Sequence, residues 1–244
     1  MLYYAIWLTS GAVFWWYTPE VSRLALSGYG FLSMVRLLIV DDHPLVRRGI
    51  VEVLAEAYPD GTIAEASDGA EALQAISGGA WNLVVLDLSL PGRSGLDVLK
   101  EIRHTHSKLP VLILSTYPEQ QFGARALRAG ASGYLNKGSS SEVLLSAVRK
   151  VMAGGKYISA SLGESLAADL GRDLTKPLHE GLSDREYHVM LRIASGKTVG
   201  EIAEEIHLSV KTISTYRARI LEKMGLKNNA ELTQYGIRQK LVDL

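Results

Sequence analysis

Acidic, hydroxyl and basic residues stand directly after short apolar runs in the first part of the chain. Asp41 and Asp42 follow VRLLIV, Asp87 ends LVVLD, Ser115 ends VLILS, and Lys137 follows GYLN. Neighbouring carboxylates repel one another unless a cation lies among them. Oxygen ligands with open coordination positions suit Mg²⁺, while a lysine and a hydroxyl can hold the other oxygens of a phosphoryl group. These residue types indicate phosphoryl transfer onto a carboxylate.

The elements that must position these residues alternate between strands and helices. Apolar runs predict five buried strands, at Val35–Val40, Thr62–Glu65, Leu83–Asp87, Val111–Ser115 and Gly133–Leu135. Helical apolar periods follow each of them, and the first begins at Pro44, a residue that suits the first turn of a helix. Five such units predict an α/β domain with a doubly wound parallel sheet, whose ligand site lies beyond the carboxyl ends of the strands.

The motifs IVDD, VVLDLSLPGRSG, VLILST and GYLNKG resemble, in this order and spacing, the receiver domain of two-component response regulators. The resemblance implies a flavodoxin-like fold and Asp87 as the phosphoacceptor. It also implies Mg²⁺ as the cofactor. The carboxylates of Asp42 and Asp87 and the backbone carbonyl of Ser89 would bind the ion, and Asp41 would act through a bound water.

The same resemblance implies a group of residues, on the other side of the site, that bind the phosphoryl group and switch conformation with it. Ser115 matches the hydroxyl position, Lys137 the lysine position, and Tyr134 the aromatic residue that moves with Ser115. A plainer alternative for Tyr134 is an aromatic side chain that packs at a strand end. Two positions depart from the usual pattern, since Thr116 replaces a small residue and Gly138 replaces a proline.

A second, purely helical region follows a linker. We predict a sheet domain over residues 34–155, a tether with room for a helical turn or two over residues 156–178, and a helical domain over residues 179–244. Ser183 and Glu186 form a capping-box pattern at the start of its first helix. Three more helices are expected, at Val199–Ile206, from Ser209 to Met224, and from Asn229 to Leu241.

Helical projection of residues 210–224 separates an apolar face from a polar, basic face. The apolar face contains Ile213, Tyr216, Ile220 and Met224, and the opposite face contains Lys211, Ser214, Thr215, Ala218 and Arg219. Two helices joined by a short turn, with a third behind them, match helix-turn-helix geometry. The small polar and basic side chains of the second face suit entry into a DNA major groove.

The sequence LSDRE, followed by IAEEIHLSVKTISTYRARILEKMGL, resembles the LuxR-type output domain, and its pairing with a receiver resembles the NarL/FixJ family of response regulators. This resemblance implies promoter DNA binding and dimerisation through the last helix. The candidate DNA contacts are Lys211, Thr212, Ser214, Thr215, Arg217 and Arg219. Tyr216 departs from the common histidine, and Val199-Gly200 departs from the usual polar pair.

These resemblances together predict a cytoplasmic transcription regulator whose DNA binding is controlled by phosphorylation of Asp87. A sensor histidine kinase would donate the phosphoryl group, RNA polymerase would be a partner at the promoter, and the phosphorylated or DNA-bound form would be a homodimer. No catalysis beyond self-dephosphorylation is expected. Two alternatives stay open: a switch that acts only through protein interaction, and a phosphohydrolase, which normally has a second acid where this chain has Ser89.

Composition and the N-terminal segment set further limits. The chain has no cysteine, which excludes disulfides, thiolate metal sites and zinc fingers. Its net charge is zero, so the overall charge does not indicate whether it binds nucleic acid, and only local basic patches can. Residues 2–17 carry no charge but are shorter than the ~20 residues that span a bilayer. Since Met34 directly precedes the first strand, we expect translation to start at Met34. Residues 1–33 would then lie outside the fold, carry no function and make no membrane contact. A genuine extension, an anchor and an interfacial helix are the alternatives.

Overall fold

A five-stranded parallel sheet forms the centre of the sheet domain. The computed structural model describes residues 34–170 and 177–242, so the expectation for residues 1–33 lies outside the described residues. The strands are β1 (Arg36–Val40), β2 (Thr62–Ala66), β3 (Leu83–Leu86), β4 (Val111–Ser115) and β5 (Gly133–Asn136). Their order is β2-β1-β3-β4-β5, and every neighbouring pair is parallel. The predicted doubly wound sheet is therefore confirmed.

Five helices cover the two faces of the sheet. They are α1 (Pro44–Ala57), α2 (Gly69–Ser77), α3 (Gly95–Thr105), α4 (Glu119–Arg128) and α5 (Ser141–Met152). Because side chains alternate along a strand, Leu38 and Val40 pack on the side of α2, α3 and α4, while Leu37 and Ile39 pack on the side of α1 and α5. The central strands are buried on both faces, as their continuous apolar runs require.

The segment after α5 is more ordered than the expected tether. Residues Ala160–Leu170 form an 11-residue helix, α6, that contacts α4. Leu162 of α6 is only 3% exposed, and a Cβ at Gly123 of α4 would lie 2.8 Å from its Cδ2 atom. The glycine thus allows this close approach, and burial of Leu162 stabilises a helix that its local apolar pattern did not reveal.

Four helices build the helical domain after a short 3₁₀ turn at Leu178–Gly181. They are α7 (Asp184–Ala194), α8 (Val199–Glu205), α9 (Val210–Met224) and α10 (Asn229–Arg238). The capping box at Ser183 forms, and a second one at Thr198 and Glu201 starts α8. Helix α10 ends before the expected Leu241, because Lys240 takes a left-handed conformation (φ 56°) and the Leu241 amide bonds back to Gly236.

Membrane crossing finds no support in the part of the chain that the structure describes. None of the helices within residues 34–170 and 177–242 combines the length and the apolar character needed to span a bilayer.

Candidate functional site

Three carboxylates meet at the carboxyl edge of the sheet. Asp41 follows β1 and Asp87 follows the adjacent β3, and both are 1% exposed. One ligand atom from each of Asp41, Asp42, His43 and Asp87 can be chosen so that all lie within 4.8 Å of one another. Parallel neighbouring strands end at the same edge, which explains why residues far apart in the chain converge here.

Lys137 bridges two of these carboxylates. Its Nζ donates to Asp41 Oδ2 at 2.7 Å and to Asp87 Oδ2 at 2.8 Å, and its side chain is 8% exposed. Burial alone would lower the pKa of Lys137, but the attraction of Asp87 and Asp41 raises it above the ordinary lysine value. The lysine therefore stays charged and compensates part of the negative charge in the cluster.

One oxygen of Asp87 remains available. Burial raises the pKa of this carboxyl, and Lys137 opposes the increase. Asp87 Oδ1 is buried and has no hydrogen-bond partner among the described residues, whereas Oδ2 is bound to Lys137. A buried acceptor without a partner is costly, so its presence here indicates an atom that is ready for a ligand. The donor set is rich in carboxylate oxygens and fits Mg²⁺.

The loop after Asp87 is held by a close backbone approach. A Cβ at Gly95, the first residue of α3, would lie 2.0 Å from the carbonyl oxygen of Asp87. Only glycine fits at this position, so Gly95 fixes the start of α3 against the acidic loop. Pro91, which precedes it, lines the cavity beside the carboxylates.

His43 also lies beside the carboxylates. Its Nδ1 lies 2.7 Å from Asp42 Oδ1, and its backbone amide donates to Asp41 Oδ1 at 2.9 Å. The side chain is 62% exposed, and His43 occupies the N-cap position of α1 without a hydrogen bond from its side chain to the helix. His43 is thus exposed to solvent and in contact with an acidic group at the same time.

The predicted switch residues lie together near Tyr117. Ser115 is fully buried, and its Oγ accepts a hydrogen bond from the Tyr117 amide at 3.3 Å. Tyr134 is 1% exposed and its hydroxyl donates to the Tyr117 carbonyl at 2.8 Å, while burial raises its pKa. Ser89 reaches the same residue, since its Oγ donates to the Tyr117 hydroxyl at 2.6 Å. Sequence reasoning did not single out Tyr117.

The predicted DNA-contacting residues on α9 divide into two groups. Lys211, Ser214, Thr215 and Arg219 are exposed on one side of the helix, while Ile213, Ile220 and Met224 are buried. Thr212 is half-buried, with its Oγ1 2.7 Å from Ser209 Oγ at the start of the helix. Arg217 is also half-buried, and its Nε donates to Asn229 Oδ1 at 2.6 Å. These two residues support the helical domain itself.

The cavity beside the carboxylates has walls from both domains. Its volume is about 250 Å³, and Asp42, Asp87 and Lys137 line one side. The helical domain contributes another part of the wall, formed by Arg185, His188, Glu205, Ile206 and His207. No periodicity or motif within either domain predicts this contact, and sequence reasoning missed all five residues.

Two family models match the chain over separate ranges. The response regulator receiver domain matches residues 37–149, and the bacterial regulatory proteins of the luxR family match residues 180–235. The response regulator UvrY of Escherichia coli K12 is 34% identical over 209 residues, which cover 85% of this chain and 96% of that protein. The response regulator GacA of Pseudomonas aeruginosa is 33% identical over 214 residues, covering 86% and 99%.

Two solved structures show the same fold. A LuxR-family two-component response regulator from Aurantimonas sp. SI85-9A1 has 33% identity and a TM-score of 0.52, covering 57% of this chain and 100% of that chain. The response regulator RcsB in complex with DNA has 25% identity and a TM-score of 0.52, covering 83% and 98%.

The fold, the acidic edge and these similarities together define the class of protein. The chain belongs to the NarL/FixJ family of two-component response regulators, in which a receiver domain is joined to a LuxR-type DNA-binding domain. Members of this family are transcription regulators with a DNA-binding output domain.

Proposed function

We propose that Asp87 accepts a phosphoryl group from a sensor histidine kinase and that this modification controls promoter binding by α9. The observation that carries the proposal is the state of the Asp87 carboxylate. One of its oxygens is bound to Lys137, and the other is buried and free of hydrogen bonds within the described part of the chain. The unpartnered oxygen is the nucleophile of the proposed reaction.

The proposed metal ion is Mg²⁺, held by the Asp42 and Asp87 carboxylates and the Ser89 backbone carbonyl, with Asp41 acting through water. When bound, the ion neutralises charge on the phosphoryl oxygens and so favours their approach to a carboxylate. The cluster of Asp41, Asp42 and Asp87 supports this assignment, because Lys137, which pairs with Asp41 and Asp87, is the one lysine paired with these carboxylates among the described residues.

The chain's own residues hold the new charge and transmit its arrival. Lys137 pairs with the phosphoryl oxygens from the position where it now pairs with Asp87 Oδ2. Ser115 and Tyr134 form the proposed switch, and both are hydrogen-bonded to the Tyr117 backbone. A phosphoryl group adds a charge of about −2 at pH 7, so a hydroxyl drawn toward it displaces Tyr117 from its present contacts.

DNA binding is assigned to the exposed side of α9. Lys211 and Arg219 would contact phosphates, and Ser214 and Thr215 would contact base edges. Thr212 and Arg217 belong to the same proposed interface, although their side chains also support the fold. A homodimer formed through α10 would place two α9 helices about one DNA turn apart. RNA polymerase would be the further partner at the promoter, and the protein would act in the cytoplasm.

The experiment is an intact-mass measurement of the full chain after incubation with Mg²⁺ and acetyl phosphate. We expect one added phosphoryl group on the parent chain, none on the Asp87→Asn variant, and one on an Asp60→Asn control, whose exposed carboxyl lies outside the cluster. Modification of Asp87→Asn to the same extent as the parent would refute the assignment. Turnover of a small phosphorylated substrate would instead support a phosphohydrolase.

A further inference from the structure

The helical domain encloses the site of phosphorylation but leaves the exposed side of α9 uncovered. Arg185, His188 and Glu205 belong to α7 and α8 and line the cavity beside Asp87. The described hydrogen bonds and ring contacts between the domains involve α7, the 3₁₀ turn with its following residue Leu182, and the segment after α10. Lys211 and Arg219 of α9 remain exposed. The contact therefore restricts access to Asp87 more directly than access to DNA.

Tyr117 joins the two sides of this enclosure. Its hydroxyl accepts hydrogen bonds from Ser89 Oγ and from Arg192 Nη2, both at 2.6 Å. Arg192 is only 7% exposed, and the ring of Tyr117 stands edge-on to His188 with centroids 4.7 Å apart. Tyr117 thus connects the loop after Asp87 to the helical domain, beside the hydrogen bond that Arg185 Nη2 donates to the Gly92 carbonyl oxygen at 2.6 Å.

A second set of contacts holds the domains together away from the cavity. Arg125 of α4 donates to Asp184 Oδ1 at 2.9 Å, and to the carbonyl oxygens of Leu182 and His179 at 3.1 Å. Its guanidinium also lies 4.3 Å from the centroid of the Tyr187 ring. None of these residues lines the cavity, so Arg125 stabilises the enclosed arrangement without touching the reacting groups.

From this arrangement we infer that the helical domain selects the phosphodonor by size. The inference rests on the proposed role of Asp87. A small acyl phosphate needs only the space of a cavity of about 250 Å³. A phosphohistidine on a folded kinase must bring its own domain surface to the edge that Arg185, His188 and His207 now occupy. A protein donor therefore reaches Asp87 only when the contact with the helical domain opens.

The bond changes are the same in kind for both donors. With phosphohistidine, the P–N bond breaks as a P–O bond to Asp87 forms, and the imidazole nitrogen keeps the electron pair and takes a proton from solvent. With acetyl phosphate, the P–O bond to the acyl group breaks and acetate leaves with the electron pair. Different effects of one remote substitution on the two reactions therefore report access and not chemistry.

The test compares the two donors on the full chain. Acetyl phosphate is the small probe, and the protein probes are autophosphorylated transmitter domains of sensor kinases from the same genome. We expect Arg125→Ala to accelerate phosphorylation by the protein donor about tenfold, as the loss of a charged hydrogen bond shifts the closed arrangement toward an open one. The rate with acetyl phosphate should stay within about twofold of the parent, since the cavity residues are unchanged.

Two further variants make the result decisive. Asp184→Asn weakens the pairs with Arg125 and Lys100 and should reproduce the donor-specific acceleration. Arg149→Ala removes an exposed arginine from α5, on the opposite face of the sheet, and should change neither rate. The inference would be overturned if the variants accelerated phosphorylation equally with both donors. It would also be overturned if Arg125→Ala and Asp184→Asn accepted acetyl phosphate but no phosphoryl group from any transmitter domain. No phosphorylation of any chain by any donor would instead overturn the proposed role of Asp87.

Discussion

The acidic edge of the receiver domain and the exposed side of α9 are built on different principles. At the acidic edge, Asp41 and Asp87 are 1% exposed and come from separate strands, so sheet topology brings like charges together out of water. On α9, Lys211 and Arg219 belong to one helix and stay in solvent. Charges at the first site are therefore strongly coupled, whereas charges at the second act nearly independently.

Removal of Lys137 should show the strongest coupling. In Lys137→Met the carboxylates of Asp41 and Asp87 lose their shared cation, so we expect the free energy of unfolding without Mg²⁺ to fall by about 2 kcal/mol at pH 7. The loss should shrink as the pH falls, because protonation removes the repulsion. Urea denaturation measures both effects.

Lys108→Met is the control for this substitution, because Lys108 is exposed and lies outside the cluster. Its unfolding free energy should stay within about 0.5 kcal/mol of the parent. A decrease as large as that of Lys137→Met would contradict the coupling ascribed to the acidic edge.

Loss of two exposed cations from α9 should weaken DNA binding without a change in stability. We expect Lys211→Ala with Arg219→Ala to reduce promoter affinity at least about tenfold and to lower the slope of log affinity against log salt by about 2, one for each lost phosphate contact. Titration of labelled promoter DNA at several salt concentrations provides both values. An unchanged slope would remove these residues from the interface. Arg149→Ala is the control for the loss of one exposed positive charge outside α9.

His188 should make the domain contact sensitive to acid. Its pKa is held well below 6.5, first by burial and then by the positive charges of Arg192, Arg185 and Lys197, and its Nε2 has no hydrogen-bond partner among the described residues. The folded state keeps this ring neutral below pH 6.5 while the unfolded chain binds a proton, so folding stability must fall as the pH drops.

Unfolding measurements at pH 7.5 and 5.5 test this dependence. We expect the parent to lose about 1 kcal/mol more than His188→Gln, which cannot titrate at that position. Both chains share the five other histidines and all carboxylates, so only the difference between them is assigned to His188. An equal loss in the two chains would show that this ring does not titrate as described.

The smallest effect is expected within α9 itself. Arg217 is tied to Asn229, while Arg219, two residues later, is exposed. Arg217→Ala should therefore reduce DNA affinity less than Arg219→Ala does, and the two reductions should differ by a factor of about three. Arg217→Ala should also lower the stability of the helical domain slightly. Binding titrations of the two single variants, paired with thermal unfolding, decide the order. The reverse order would place the Arg217 guanidinium on DNA despite its bond to Asn229.

Much of the fold and of the acidic edge was predictable from local signals. The strands match the predicted ones to within one residue at each end, because parallel central strands are written as continuous runs of Val, Ile and Leu. The capping residues Ser183 and Ser209 begin the helices that they were expected to begin. Helix α6 was underestimated, since its stability depends on Leu162 packing against α4, and no sequence window contains that partner.

The amino-acid sequence by itself determined the elements, the residues at the strand ends and the division of α9 into an apolar and a basic face. These features follow from periods of two and 3.6 residues, which are properties of a single segment. Tertiary structure decided the bridge from Lys137 to two carboxylates, the free oxygen of Asp87 and the enclosing contact through Tyr117. Such features depend on distances and burial between distant segments, and these quantities exist only once the chain has folded.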